Sequence, residues 1–358
     1  MKLSRFLQSV YNSLKKVPTP EDITSREIVR KAIEFKNPPR IPYCMFFYPT
    51  RGDIFDLGFI AKWLLPRKPK PKNGFYSDEW GVKWQVTGRW HDTAVEYPLA
   101  DLTNLMNYHF PNIVPKGMFI LFRTLARLAT RKGKYIVVPN LVNMYERMRS
   151  LMGFEELIIA PYKQPDLLEE LLDQLTDMTI DLIKQFGKNR LFDAFMTWED
   201  WGLQTRLQMK TKTFQEFYKP RYKRIVDATH DSGLHFIWHS CGYIMDLIPE
   251  MIDLGVDVLQ IDQPRLMGHQ NLIDILGQKL CMWNCVDIQW SNQPCIINDE
   301  VKYELEQMIR VYDIDKFNGG FIFRNYPDPE DIAISKERQE FINHTFLQLI
   351  SKERNVNY

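Results

Sequence analysis

Residues 235–264 read HFIWHSCGYIMDLIPEMIDLGVDVLQIDQP, and this stretch indicates the fold of the whole chain. Two apolar runs, HFIWHS and VDVLQI, flank an amphipathic segment with the spacing of a helix. Short apolar strands that alternate with helices are typical of a parallel sheet covered by helices on its faces. The same alternation runs from about residue 135 to the last helix, so the sequence predicts an α/β fold.

Two parallel-sheet architectures fit this pattern, and the chain length separates them. The chain has 358 residues and carries no G-x-G-x-x-G motif after a strand. A closed (β/α)8 TIM barrel is therefore favoured over an open Rossmann-like sheet, which is the alternative. We predict a single barrel domain over residues 1–358, in which residues 1–110 form an N-terminal helical and irregular extension with a Trp- and Pro-rich insertion.

Charge and cysteine content restrict the class of protein. The chain holds 46 Lys and Arg against 45 Asp and Glu, a net charge of +1, which predicts no nucleic-acid partner. Five cysteines spread over a long chain indicate reduced thiols and a cytoplasmic location rather than a disulfide framework. The composition leaves monomer and homodimer equally open.

The N-terminal segment MKLSRFLQSVYNSLKKV is basic and amphipathic. It lacks the apolar core and the small-residue cleavage site of a signal peptide. We interpret it as a short helix packed on the domain, and a peripheral membrane helix is the alternative. No apolar run reaches the roughly 20 residues of a membrane span.

Polar residues follow several predicted strands, each at the point where an apolar run ends. In a TIM barrel, the active site lies at these carboxyl ends and in the loops that follow them. Taken singly, each residue also fits the ordinary role of capping a helix or satisfying a loop backbone. We predict Glu199 and Asp200 as catalytic groups. The predicted substrate-binding residues are Trp198, Gln263, Arg324, Asn325 and Tyr326.

His239 and Cys241 are separated by one residue at the end of a predicted strand. Side chains alternate along a strand, so this imidazole and this thiol are expected to point the same way. Zinc binds such ligands tetrahedrally, and catalytic sites leave one position open. A third ligand must come from another strand end. Cys285 is the predicted soft donor, with Glu199 or Asp200 as the hard alternative.

The segment WHSCGYIMDLIPEMIDLGVDVLQIDQP resembles the uroporphyrinogen decarboxylase superfamily. It is most similar to the branch of cobamide-dependent methyltransferases, in which a H-x-C-G motif precedes a helix and a GVDVLQ-type strand. The stretches SREIVRKAIEFKNPPRIPY, GQKLCMWNCVDIQ and GGFIFRNYPDPEDI support the resemblance over most of the chain, and residues 40–110 are the least similar. The resemblance implies a (β/α)8 barrel with its pocket at the strand ends.

Two departures from family patterns bear on function. The resemblance implies an arginine-rich R-Q-A-G-R segment in porphyrinogen decarboxylases, where this chain has IPYCMFFYPTRGDIF with only Arg51 loosely similar. The resemblance to the methyltransferases implies zinc binding through His239 and Cys241 of the H-x-C motif. It also implies a third ligand, a distal cysteine in the strand before the last helix. At that place the chain reads GGFIFRNYPDPEDI without a cysteine. Cys285 is therefore the predicted substitute.

Three functional hypotheses follow. The leading one is a zinc-dependent methyltransferase that moves a methyl group between a corrinoid and a thiol or another small acceptor or donor. The corrinoid would come from a partner protein or as free cobamide. The alternative is a metal-independent decarboxylase, in which Asp200 or Glu199 protonates carbon and Arg324, Arg51 or Arg206 holds a carboxylate. The third is a non-catalytic ligand-binding barrel, which the missing distal cysteine favours.

Overall fold

The structure is a computed structural model of the chain. It describes residues 17, 19–20, 22–45, 52–58, 71, 73–87, 92–113, 116–326, 332 and 334–354. The predicted N-terminal helix, apart from Val17, lies outside the described residues. So does Arg51, which is a candidate for binding a substrate carboxylate. Within the described part of the chain, no helix has the length and apolar character needed to cross a membrane.

Eight parallel strands form one sheet that curls into a nearly closed barrel, which confirms the predicted TIM-barrel fold. Their order is β1–β11–β10–β9–β8–β7–β6–β2, and the remaining strands, β3 to β5, form a separate antiparallel sheet. In chain order the strands are β1 (Tyr43–Cys44), β2 (Ile54–Asp56), β3 (Phe75–Ser77), β4 (Lys83–Gln85), β5 (Thr93–Glu96), β6 (Tyr135–Pro139), β7 (Ala194–Trp198), β8 (His235–His239), β9 (Val258–Ile261), β10 (Cys281–Asn284) and β11 (Phe321–Arg324).

Helices surround the barrel and connect its strands. A helical turn and a π-helical turn, Thr211–Thr213 and Phe214–Tyr218, precede α6. The helices are α1 (Ser25–Ile33), α2 (Lys116–Thr130), α3 (Met144–Met152), α4 (Phe154–Lys163), α5 (Pro165–Gly187), α6 (Lys219–Asp231), α7 (Ile248–Leu254), α8 (His269–Leu276), α9 (Ile288–Ser291), α10 (Asn298–Val311) and α11 (Lys336–Arg354).

The period-two alternation of the strands separates two cores. Outward side chains pack against the helices in one large cluster. Inward side chains form a smaller cluster inside the barrel, which α1 joins through Val29, Ala32 and Ile33. Because Gly320, just before β11, donates its N–H to Ala32, α1 closes the end of the barrel where the strands begin. The opposite end of the barrel, at the carboxyl ends of the strands, is where an active site is expected.

The buried Arg40–Asp53 ion pair lies beside the junction of β1 and β2. The two guanidinium nitrogens of Arg40 contact the two oxygens of Asp53 at 2.7 and 2.6 Å. Asp53 also accepts the Ser25 hydroxyl of α1 at 2.6 Å and the Tyr43 N–H of β1 at 3.0 Å. One carboxylate thus ties together α1 and both strands at the closure of the barrel.

Residues 1–110 contribute to the barrel itself. The structure takes β1 and β2 from this part of the chain, in addition to the antiparallel sheet of β3 to β5. The β1 strand has only two residues and β2 only three, too short for a periodic pattern to mark them. The single domain over residues 1–358, with residues 1–110 as its N-terminal extension and insertion, stays a prediction.

Candidate metal centre and active site

The candidate site is built where β7 and β8 end side by side. Trp198 pairs with His239 in the parallel ladder, and the Glu199 N–H donates to the His239 carbonyl at 2.9 Å. The two loops then continue together, because the Gly202 N–H donates to the Cys241 carbonyl at 3.2 Å. This pairing brings Asp200, from the first loop, next to Cys241, from the second.

Two glycines allow this close approach. A Cβ atom on Gly242 would lie 2.5 Å from the carbonyl carbon and oxygen of Gly202. A Cβ atom on Gly202 would lie 2.6 Å from the Cys241 carbonyl oxygen. Gly242 also has a φ of +78°, a conformation that glycine adopts without steric cost. The glycine of the H-x-C-G motif therefore keeps the two loops, and their functional side chains, in contact.

Three potential metal ligands converge at this point. Among the described residues, Asp200, His239 and Cys241 form a group whose ligand atoms all lie within 4.8 Å of one another. His239 Nε2 lies 3.4 Å from Asp200 Oδ1 and 3.5 Å from Cys241 Sγ. For metal–ligand lengths of about 2.0–2.3 Å, the tetrahedral angle separates neighbouring ligand atoms by roughly 3.3–3.6 Å. The separations of His239 from Asp200 and from Cys241 are compatible with zinc.

The electrostatics of the group differ from residue to residue. Burial raises the pKa of Asp200, but the hydrogen bond with His239, its positive charge and the Cys241 N–H lower that pKa to about 2. Burial lowers the pKa of His239, while its hydrogen bond to Asp200 raises it, with a net upward shift. Burial and the Asp200 charge raise the pKa of the Cys241 thiol well above its usual range. Asp200 is therefore an anion at neutral pH and Cys241 a thiol.

Cys285 lies outside this group of three. Its thiol is 3.5 Å from Asp262 Oδ1 and 3.8 Å from the Asp262 carbonyl oxygen. It is nevertheless close enough to Cys241 to contribute to the raised pKa of that thiol. Asp200, the hard alternative that the sequence offers, lies beside His239.

Glu199 points away from the three ligands. Its carboxylate is fully buried and accepts the Thr197 hydroxyl and the Glu146 N–H, both at 3.0 Å. Burial raises the pKa of Glu199 to about 8, and the neighbouring charge of Glu146 contributes to the increase. The structure therefore separates the two predicted acids. Asp200 lies with His239 and Cys241, whereas Glu199 connects α3 to β7 through its hydrogen bonds.

The predicted substrate-binding residues divide into two sets. Trp198 packs against the inward cluster of the barrel, and the Arg324 guanidinium lies 5.5 Å from the ring centre of Trp283 in that cluster. Gln263 instead accepts the Gly242 N–H at 2.8 Å. Asn325 and Tyr326 follow β11, where the Asn325 N–H donates to the Cys44 carbonyl and the Tyr326 carbonyl accepts from Gln339.

Two residues beside the site, Gln260 and Glu146, are not among those predicted from the sequence. Gln260 lies on β9, fully buried, and its Oε1 is 2.5 Å from His239 Nδ1. A polar residue inside the apolar run VDVLQI was the signal that could have found it. Glu146 lies in the first turn of α3, and burial raises its pKa to about 7 although Arg149 opposes the shift. Its proximity to the site depends on how α3 packs, which no sequence pattern indicates.

Comparison with known proteins identifies the family. Residues 94–283 match the family described as Uroporphyrinogen decarboxylase (URO-D), which is more than half of the 358 residues of the chain. A TIM barrel with its polar groups at the strand ends belongs to a class with many chemistries. The chain is a member of the uroporphyrinogen decarboxylase family. Curated protein sequences give no match.

Solved structures share the fold. A methyltransferase from Methanosarcina mazei superposes with a TM-score of 0.60 at 12% identity, over 92% of this chain and 99% of that chain. An intracellular xylanase from Thermoanaerobacterium saccharolyticum gives a TM-score of 0.42 at 8% identity, over 89% of this chain and 93% of that one. The old yellow enzyme from Trypanosoma cruzi gives 0.36 at 11%, over 62% and 77%. The first comparison supports the barrel over nearly the full chain.

Proposed function

We propose that this protein is a zinc-dependent methyltransferase that moves a methyl group between a corrinoid and a thiol or another small substrate. The observation that carries the proposal is the convergence of Asp200, His239 and Cys241 at separations suited to zinc. Membership in the uroporphyrinogen decarboxylase family and a fold shared with a methyltransferase support it. The corrinoid would be supplied by a partner protein or as free cobamide.

The chain's own residues would hold the ion and prepare the substrate. Asp200 would offer one oxygen, His239 its Nε2 and Cys241 its sulfur. Bound zinc supplies Lewis acidity, which lowers the pKa of a thiol at the open coordination position. The Cys241 thiol must release its proton on metal binding, so metal affinity is expected to rise with pH. The Asp200 side chain is 37% exposed, against 10% for His239, so substrate would approach from the side of Asp200.

Other predicted residues take supporting roles in the proposal. Trp198 would contact the apolar part of the substrate, and Arg324 would bind a polar group within the barrel. Gln263 would act through the loop that it braces, and Asn325 and Tyr326 would shape the neighbouring loop after β11. Cys285 stays a predicted ligand, since its thiol would have to leave Asp262 to reach the ion.

A carboxy-lyase is the second candidate, and Arg324 favours it. Arg324 is 5% exposed and its guanidinium lies beside Trp283 in the barrel interior, where it would meet a carboxylate. In that reaction Asp200 would deliver a proton to carbon. The low pKa of Asp200, about 2, disfavours this role, because the group would carry no proton at neutral pH.

Metal analysis of the purified chain tests the proposal. We expect about one zinc per chain in the wild type and in a Cys295→Ala control, which changes an exposed cysteine. A double variant, His239→Ala with Cys241→Ala, should lose the metal. Equal and negligible zinc in all three proteins would contradict the proposal. Methyl transfer from methylcobalamin to a thiol should stop on chelation, whereas a decarboxylase would survive chelation and fail in Asp200→Asn.

A further inference from the structure

We infer that Gln260 and Asp262 act as positioning residues that set the tautomer of His239, so that its Nε2 is the nitrogen offered to a metal. The inference rests on the proposed metal centre for its purpose. The hydrogen bonds that carry it involve β8, β9 and the residue that follows β9, and they lie on the side of the imidazole opposite to Asp200 and Cys241.

The three residues form a chain of hydrogen bonds. His239 and Gln260 are paired in the β8–β9 ladder, which places both side chains on the inward face of the barrel. His239 Nδ1 lies 2.5 Å from Gln260 Oε1. Gln260 Nε2 donates to Asp262 Oδ1 at 2.7 Å. Gln260 is 0% exposed and Asp262 is 4% exposed, so water does not compete for these contacts.

The Asp262 carboxylate determines which atom donates and which accepts in both hydrogen bonds. Asp262 Oδ1 accepts from Gln260 Nε2, so the Gln260 amide turns its NH2 group toward Asp262. The amide oxygen then faces His239. Because an amide oxygen also only accepts, the facing ring nitrogen, Nδ1, must carry a proton. In a neutral imidazole the other nitrogen, Nε2, is then the unprotonated one.

Neighbouring groups hold Asp262 in place. The Cys285 thiol lies 3.5 Å from the same oxygen, Oδ1, that accepts from Gln260. Arg324 is close enough for its positive charge to interact with Asp262. Cys285 and Arg324 therefore have a place in the same network, which links the ends of β9, β10 and β11 to the candidate metal centre on β8.

The competing tautomer has a weaker partner. With its proton on Nε2, His239 would donate to Asp200 Oδ1 at 3.4 Å, whereas its Nδ1 partner lies at 2.5 Å. Shorter contacts to a well-aligned acceptor are stronger, so the chain through Gln260 prevails. Outer hydrogen bonds of this kind to a ligating histidine change metal affinity by about 10–100-fold.

Nitrogen-15 NMR of the imidazole in the full-length, metal-free protein tests the inference. At a pH where His239 is neutral, we expect the wild type to show the Nδ1–H tautomer. Gln260→Leu should shift the population toward Nε2–H, while Gln260→Glu, which keeps an acceptor for Nδ1, should retain Nδ1–H. Gln339→Leu, a change of another buried glutamine, is the control for general loss of packing and should also retain it.

Zinc affinity by chelator competition gives the second readout, with an expected decrease of about 10–100-fold in Gln260→Leu. A wild-type Nε2–H tautomer, or a Gln260→Leu variant that keeps Nδ1–H, would overturn the inference. Absence of zinc together with a Gln260-dependent Nδ1–H tautomer would overturn the proposed function and leave the hydrogen-bond chain intact. If Gln260→Leu does not fold, the wild-type tautomer alone decides.

Discussion

Asp200 places a negative charge near His239 Nε2, the same ring nitrogen that Cys241 of the H-x-C motif approaches. Its Oδ1 accepts the Cys241 N–H at 3.0 Å and lies 3.4 Å from His239 Nε2. Its backbone is held as well, because Gln208 donates to the Asp200 carbonyl at 2.6 Å. A carboxylate that is ionised and fixed in direction can bind a cation without rearrangement, and ionisation is what a carboxylate ligand requires.

The identity of the third ligand gives the first prediction. We expect Asp200→Asn to weaken zinc binding by at least about 10-fold, because an amide lacks the negative charge that the ligand set needs. Cys285→Ser should change the affinity much less, since its thiol lies on Asp262. Competition with a colorimetric chelator measures both. The reverse order of effects would show that Cys285 rather than Asp200 completes the site.

The loops after β7 and β8 behave as one element. Their backbones are bridged between Leu203 and Tyr243, and the Trp201 N–H donates to the Ser240 hydroxyl at 3.1 Å. Below them, the Trp201 ring stacks on Tyr145 with centroids 3.9 Å apart. This packing makes the distance between Asp200 and Cys241 a property of two loops held together rather than of either alone.

The contact between the two loops predicts a stability loss on substitution of Gly242. We expect Gly242→Ala to cost more than the roughly 1–2 kcal/mol of placing an ordinary residue in the left-handed conformation, because its Cβ would meet the Gly202 backbone at 2.5 Å. Gly233→Ala is the matched control: it has a φ of +72° but nothing within 4 Å of an added Cβ. Urea unfolding measures both free energies. Equal losses would show that the close approach of the loops contributes no stability.

Zinc content adds a second measurement on the same pair of variants. Separating the two loops would move Cys241 away from Asp200, so Gly242→Ala should also bind zinc more weakly than Gly233→Ala. A folded Gly242→Ala protein with unchanged zinc affinity would show that the ligand positions do not depend on this contact.

A buried ion pair connects the elements at the closure of the barrel. Arg40 is 2% exposed and Asp53 is 0% exposed. Burial raises the pKa of Asp53, but the Arg40 charge and the hydrogen bonds from Arg40, Ser25 and Tyr43 outweigh it and hold the pKa below its ordinary value. The ionised form is thus the one that the folded barrel prefers.

The pH dependence of stability follows from this sign. A lowered pKa stabilises the fold fully above the unfolded value, about 3.9 for an aspartate, and the contribution is lost as pH falls through the folded value. We expect Asp53→Asn to cost about 3–5 kcal/mol at neutral pH, since it leaves Arg40 buried and unbalanced. The exposed Asp181→Asn is the control. Thermal and urea unfolding should show that Asp53→Asn loses less additional stability than the wild type below about pH 4; identical acid profiles would contradict this.

Local periodicity explains how much of the fold was predictable. The strands around HFIWHS and VDVLQI and the helix Pro165–Gly187 follow from apolar spacing that depends only on near neighbours in the chain. The two short strands β1 and β2 carry no such pattern, so the sequence placed them in an extension. Their membership of the barrel depends on contacts with β11 and β6, far along the chain.

The candidate site divides in the same way. Side-chain alternation along a strand is a local rule, so the sequence alone predicts that His239 and Cys241 share a face at a strand end. The position of Asp200 beside them, and the contact of Cys285 with Asp262, depend on the arrangement of the strands in space: β7 is the direct neighbour of β8, whereas β10 lies beyond β9. Which side chains meet at a barrel mouth depends on strand order and register, and those arise from contacts between distant segments.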